Sequence, residues 1–250
     1  ADMAMAKARE LVSDYVRAGV KKIHLDCSEG CAGEPPFVDN ETAAERAASL
    51  AVCCLNAVSA PEELLFVIGT EVPPPGGARL DENGHVIPTS PVSAAKTLIA
   101  HRNAFANKGI ADLWSQVSGL VVQPGVEFGP DQIFNLPADI DLGLRDVISD
   151  YPGICLEAHS TDYQPPETFL NLAKMGFAFQ KVGPALTFAL RRALYALDEI
   201  VQKLAPSSVP LPMVMEDAMR KNPRYWRSYY SEDDKLKWHF SYADRIRYYW

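Results

Sequence analysis

The feature that most limits how this chain can fold is a rhythm: a short strand pattern followed by a helical one, five times in succession. Residues 22–27, Lys22-Ile23-His24-Leu25-Asp26-Cys27, alternate polar and apolar side chains and predict a strand. Residues 65–72, 119–123, 154–159 and 177–182 read the same way. The stretches between them carry helical spacing. Residues 41–58 place Ala44, Ala47, Ala51, Leu55 and Val58 on one face. Ser90-Pro91 supplies an N-cap and a first-turn proline for a helix reaching about Asn107. Residues 137–150 give a weaker helix and 166–175 a short one. Residues 184–204 align Leu186, Leu190, Leu194, Leu197, Val201 and Leu204 along one stripe. A helix over 2–18 precedes the first strand, with Met5, Ala8, Val12, Tyr15 and Val16 as its stripe and Gly19 as its stop. Pro73-Pro74-Pro75-Gly76-Gly77 must be a loop, because three prolines cannot donate to a ladder.

Strands alternating with helices predict a parallel sheet. Two architectures are open, a doubly wound sheet and a (β/α)8 barrel, and both place function at the carboxyl ends of the strands. Polar residues gather there: Asp26-Cys27-Ser28, Thr70-Glu71, Gln123-Pro124-Gly125, the run from Glu157 to Asp162, and Lys181-Val182-Gly183-Pro184. No glycine-rich dinucleotide fingerprint follows a strand and no phosphate-binding Gly-x4-Gly-Lys motif occurs, which weakens a dinucleotide fold and a P-loop kinase. A barrel needs eight strands and five are readable. The chain therefore reads as part of a longer polypeptide, lacking an N-terminal piece and a C-terminal one. Residues 1–205 are expected to form part of the barrel, and 206–250 an aromatic-rich helical extension packed on it.

His159 is the first candidate for chemistry, since an imidazole at a strand end can ligate a metal or move a proton. Asp26 and Glu71 share strand-end positions and could complete a divalent-metal pocket, or could instead pair with Lys22, Arg46 or Lys181. Asp26, Glu71 and His159 are expected to converge on one cavity, with Gln123, Glu157 and Lys181 as further lining. Gly183 opens a helix directly after a strand, and free N–H groups at such a start bind anions. Ser160, Thr161, Gly183 and Thr187 are the corresponding phosphate-binding candidates.

The 250 residues carry a net charge of −8, so nucleic acid and anionic membrane are not expected partners. No apolar run approaches a membrane span. The five cysteines read as reduced thiols, Cys27-x3-Cys31 being at most half a metal site. Residues 223–250 hold ten of the chain's 24 aromatics, interleaved with Arg224, Arg227, Arg245 and Arg247. Because Glu232, Asp233, Asp234 and Asp244 offset these arginines, packing or partner contact is expected there, with Trp226, Trp238 and Trp250 mostly buried.

Six segments together resemble one family. They are Lys22–Asp26, Val67-Ile68-Gly69-Thr70-Glu71-Val72-Pro73, Val121-Val122-Gln123-Pro124-Gly125-Val126-Glu127-Phe128, Glu157-Ala158-His159-Ser160-Thr161-Asp162-Tyr163-Gln164, Lys181-Val182-Gly183-Pro184-Ala185-Leu186-Thr187 through Arg191, and Asp244-Arg245-Ile246-Arg247-Tyr248-Tyr249-Trp250. They are similar to the non-catalytic Z subunit of class II D-tagatose-1,6-bisphosphate aldolase, over essentially the whole chain. The resemblance implies a (β/α)8 TIM barrel, of which this chain would supply strands four to eight plus the aromatic C-terminal segment. It implies an accessory subunit that stabilises and activates a separate catalytic class II aldolase subunit, in cytoplasmic catabolism of galactitol or N-acetylgalactosamine. An independent enzyme is the alternative it leaves, either a metal-dependent aldolase acting on a sugar bisphosphate or a tagatose-6-phosphate kinase, as some members are labelled. The catalytic relatives hold zinc with histidines at strand ends three, six and seven. His159 matches the seventh, whereas residues 120–123 at the sixth contain no histidine. A divalent metal such as zinc is thus the one cofactor the resemblance leaves open.

Overall fold

The computed structural model describes residues 1–69, 81–82, 84–137, 140–206, 209–231, 233 and 235–250, the side chains of 235–237 excepted. In chain order the elements are α1 (Asp2–Arg17), β1 (Lys22–His24), α2 (Asn40–Ala57), β2 (Leu65–Ile68), α3 (Pro91–Asn107), β3 (Val117–Val121), β4 (Glu127–Phe128), β5 (Ile133–Phe134), α4 (Leu144–Ser149), β6 (Cys155–Ala158), α5 (Pro166–Lys174), β7 (Phe177–Gln180), α6 (Pro184–Leu204), α7 (Leu211–Lys221) and α8 (Lys235–Phe240). Two helix starts follow directly from side-chain chemistry. Asp39 caps α2 by accepting the Thr42 N–H at 2.7 Å, and Ser90 caps α3 by accepting the Ser93 N–H at 3.1 Å.

Five strands form one parallel sheet in the order β1-β2-β3-β6-β7. Each strand lies beside its predecessor, and the order never reverses. A doubly wound sheet reverses at a switch point, and the order of the described strands, which does not reverse, is consistent with a barrel-like fold. The sheet also curls. Flat, β1 and β7 would stand ~19 Å apart, yet the Lys22 Nζ of β1 lies 3.9 Å from the ring centre of Phe179 on β7. A Cβ added to Gly119 of β3 would lie 3.2 Å from Val67 and 3.6 Å from Phe179, so the concave face is already closely filled there.

Strand alternation divides the side chains. Ile23, Leu25, Phe66, Ile68, Leu120, Leu156 and Phe177 point outward into one core with Ala44, Ala47, Ala51, Leu98, Phe105 and Leu172 of the helices. Ala43, Ala44, Ala47, Ala48 and Ala51 are fully buried, and their small side chains let α2 lie close between α1 and α3. Lys22, His24, Val67, Gly119, Glu157 and Phe179 alternate with the outward set and so fall on the concave face.

A second, smaller core joins Met215, Met219, Trp226, Tyr230, Trp238 and Ile246, with Tyr195 of α6 packed against it. Trp226 and Trp238 are buried as expected, whereas Trp250 is 47% exposed. The leucine stripe of α6 differs from expectation. Leu186, Leu190, Leu197, Val201 and Leu204 are exposed, and Arg191 is the side chain the helix buries. The reason is that α6 turns its Arg191–Tyr195 face to the C-terminal core, leaving the apolar stripe uncovered among the described residues. The hairpin of β4 and β5 was not expected either, since two-residue strands carry no readable period.

Candidate functional site

Lys22 and His24 project from β1, Glu157 from β6, and His159 and Lys181 follow the ends of β6 and β7. Curvature gathers all five. The Glu157 carboxylate, with no solvent exposure, accepts from Lys22 Nζ through Oε2 at 3.0 Å. Through Oε1 it accepts from Lys181 Nζ at 2.9 Å and faces His159 Nε2 at 2.9 Å. Lys181 Nζ also lies 3.2 Å from His24 Nδ1. The His24 and His159 rings meet edge to face, 5.3 Å between centres.

This surrounding sets the protonation states. Burial alone would raise the Glu157 carboxyl, but hydrogen bonds from His159, Lys181 and Lys22 outweigh it and hold the group well below the usual carboxylate range. Burial, then the Lys181 ammonium, lowers His24 to about 4, so its imidazole is neutral at pH 7. With Lys181 donating to Nδ1, the His24 proton sits on Nε2, which is buried and has no partner.

His24, Glu157 and His159 each bring one ligand atom within 4.8 Å of the others. Two imidazoles and a carboxylate are a donor set suited to zinc, manganese or iron dications. The orphaned Nε2 carries the proton in this tautomer, so the lone pair His24 offers is that of Nδ1, and the fit rests on the donor set itself. The residues present therefore fit a divalent metal.

The remaining candidates are placed differently. Asp26 accepts from the Ser28 hydroxyl at 2.6 Å and backbone N–H at 3.2 Å, and its charge acts on His24. Gln123 turns back on its own loop, accepting from the Gly125 and Val126 N–H groups. Glu71 lies outside the described residues. Ser160 is half-buried in the left-handed region, φ 54°. The Thr161 hydroxyl donates to the Lys181 carbonyl at 2.8 Å. The Gly183 and Ala185 N–H groups donate to the Asp162 carboxylate at 2.9 and 2.8 Å, so the start of α6 already holds an anion from its own chain. The Thr187 hydroxyl donates to the Asp244 carboxylate, with the Pro184 carbonyl 3.0 Å from the same oxygen.

Sequence reasoning missed His24, Lys22 and the capping role of Asp162. The signal for the first two was present, because period-two alternation sets Lys22 and His24 on the face opposite Ile23 and Leu25. The loop of His159–Gln164 is also tied to the C-terminal segment. The Tyr163 hydroxyl donates to the Tyr242 carbonyl at 2.8 Å, and its ring contacts Phe128, Phe188 and Tyr242. Tyr163→Phe is expected to lower stability by about 1 kcal/mol in urea unfolding, the net worth of one such bond; no change would mean that the hydroxyl is as well solvated when the loop is open.

Relatives of this chain carry names that refer to tagatose phosphates. The chain is 43% identical over 261 residues to the D-tagatose 6-phosphate 4-epimerase of Agrobacterium fabrum strain C58, covering 100% of this chain and 60% of that protein. Its fold superposes with a TM-score of 0.86, at 42% identity, on the crystal structure of a probable tagatose 6 phosphate kinase from Sinorhizobium meliloti 1021, covering 100% of this chain and 61% of that one. The chain thus spans about three fifths of these relatives. Residues 1–250 also match the family described as D-tagatose-1,6-bisphosphate aldolase subunit GatZ/KbaZ-like. With that match over its whole length, the chain belongs to the GatZ/KbaZ-like family of D-tagatose-1,6-bisphosphate aldolase subunits.

Proposed function

We propose that this wall is part of the active site of an enzyme that inverts C4 of a tagatose phosphate, within a closed (β/α)8 barrel. The observation that carries the reading is the convergence of His24, Glu157, His159, Lys22 and Lys181 from three strands onto one concave face. Barrel closure is supported by the curl of the sheet and by uncovered apolar side chains on α1 (Met3, Leu11, Tyr15) and α6, the helices of its two free edges. Further strand–helix units of a longer chain would cover both.

The epimerase and aldolase names share one chemistry. Removing the proton from the O4 hydroxyl lets the C3–C4 bond break, its electron pair passing toward the C2 carbonyl. An aldehyde that leaves completes aldol cleavage. An aldehyde that turns over and is attacked again by C3 regains the bond and the O4 proton with C4 inverted. His24, Glu157 and His159 would hold the divalent metal, which when bound supplies polarisation of substrate oxygen. The ammonium groups of Lys22 and Lys181, 39% and 44% exposed, offer positive charge to the phosphate and to the charge developing at C2. A kinase reading has less support, because phosphoryl transfer needs a cradle for nucleotide phosphates and the sequence has no such motif.

The accessory-subunit reading is the second, favoured by the absence of a histidine just beyond β3, where Val122-Gln123 stands. In it the partner is a catalytic aldolase subunit, with a cytoplasmic role in galactitol or N-acetylgalactosamine breakdown. No helix among the described residues is long and apolar enough to cross a membrane. The two readings separate in one assay. Full-length protein supplied with Mn2+ or Zn2+ is expected to convert D-tagatose 6-phosphate to its C4 epimer, D-fructose 6-phosphate, with His159→Ala slower by about 10²-fold or more. Inactivity alone, with stimulation of a class II aldolase, would give the accessory reading; substrate-dependent ADP release would give the kinase.

A further inference from the structure

We infer that the ammonium of Lys181 is a resident cation on the His24–Glu157–His159 wall, and that a divalent metal ion binds there by displacing it. The inference rests on the reading of that wall as a metal site and adds how the site is kept without the ion. Lys181 Nζ touches two of the three donor residues at once, 2.9 Å from Glu157 Oε1 and 3.2 Å from His24 Nδ1. The third, His159 Nε2, faces the same Oε1 at 2.9 Å. A cation already stands against the lone pairs that a dication would use, so the two occupants exclude each other.

The two lysines are not equivalent. Lys22 grips the other carboxylate oxygen, Oε2, and lies over the Phe179 ring, hydrogen-bonded to neither histidine. It can keep neutralising Glu157 whichever cation sits on Oε1. Lys181 follows the last residue of β7, and its side chain is 44% exposed. Its four-carbon stem can carry the charge out to water with little desolvation to reverse.

The arrangement also has a reason to exist. Glu157 is fully buried, and a buried carboxylate with too few partners is strongly destabilising. Lys181 holds the wall assembled and correctly charged until the metal arrives. The consequence runs against ordinary site mutagenesis: removing this residue from the wall should tighten metal binding.

The test is calorimetric titration of chelator-stripped, full-length protein with Zn2+ and with Mn2+. Wild type is expected to bind one ion, Lys181→Met to bind it about tenfold more tightly, and His159→Ala to lose it. Lys22→Met should show no such gain. Equal or weaker binding by Lys181→Met, with wild type still binding, would overturn the exchange while leaving the metal site standing. No stoichiometric binding by either protein would overturn the metal reading itself. A measurement on wild type alone covers the case of a variant that does not fold. Saturating metal should raise the rate at which an amine-acylating reagent labels Lys181, relative to exposed Lys7, by several-fold as read by peptide mass spectrometry. An unchanged or slower rate overturns the proposal.

Discussion

Arg191→Met is expected to lower the unfolding free energy by about 3–5 kcal/mol, the usual cost of leaving one partner of a buried ion pair alone. Arg191 and Asp244 are both without solvent exposure. The guanidinium donates through Nε and Nη2 to Asp244 Oδ1 and through Nη1 to the His239 carbonyl. Thr187 donates to the other carboxylate oxygen. The clasp holds Asp244 in the left-handed region, φ 44°, a conformation a non-glycine residue adopts only at a cost. It also fastens the small C-terminal core to the first turns of α6. Methionine keeps most of the stem's volume and none of its donors, so the loss reads the stranded carboxylate and not a cavity. Guanidinium unfolding followed by tryptophan fluorescence suits the measurement, because Trp226 and Trp238 lie in that core. A double-mutant cycle with Asp244→Asn should recover much of the loss, since it removes the stranded charge. A change under about 1 kcal/mol for Arg191→Met alone would show that water reaches Asp244 once the arginine is gone.

That clasp had no signature in the sequence. Arg191 and Asp244 are 53 residues apart, and no local period links a helix residue to a turn that far along the chain. What was legible was local. Asp39 was not singled out, but Ser90-Pro91 announced its helix through capping chemistry alone, and the five strand–helix units appeared in order. The choice between the two parallel architectures was not legible, because both alternate strand and helix; the neighbour order and the reach of Lys22 to Phe179 are consistent with the barrel-like one. His159 was found by its strand-end position. His24 was passed over because it lies inside the strand, although its place opposite Ile23 and Leu25 already assigned it to the concave face. The stripe on α6 misled for a related reason. Its leucines satisfy helical periodicity, but what covers them is not settled by periodicity, and the described chain buries Arg191 instead.

Glu157→Gln is expected to reduce activity by about 10³-fold, a loss on the scale of removing a preorganised charged group from an active site, and to lower stability at pH 7 by roughly 1–3 kcal/mol. The substitution keeps shape and removes the charge around which the wall is built. Lys22, Lys181 and His159 are all donors toward the two carboxylate oxygens. An amide offers one acceptor oxygen in their place, and its NH2 group must face at least one of those donors. The stability loss stays below that of a fully enclosed pair because both lysines reach solvent and can rehydrate. Acid titration gives an independent check. Burial pushes the Glu157 carboxyl up and the three hydrogen-bonded partners pull it down further, leaving it below its ordinary value of 4.5. A carboxyl depressed in the folded state binds fewer protons there than in the unfolded chain, so its stabilisation is present above that value and is lost as the pH falls below it. The difference in stability between wild type and Glu157→Gln should therefore be steady through the neutral range and shrink below about pH 4.5. A gap that persisted undiminished to pH 3 would mean that the glutamine is penalised by its packing and not by the missing charge. Activity within tenfold of wild type would mean that the five converging residues do not form the catalytic wall.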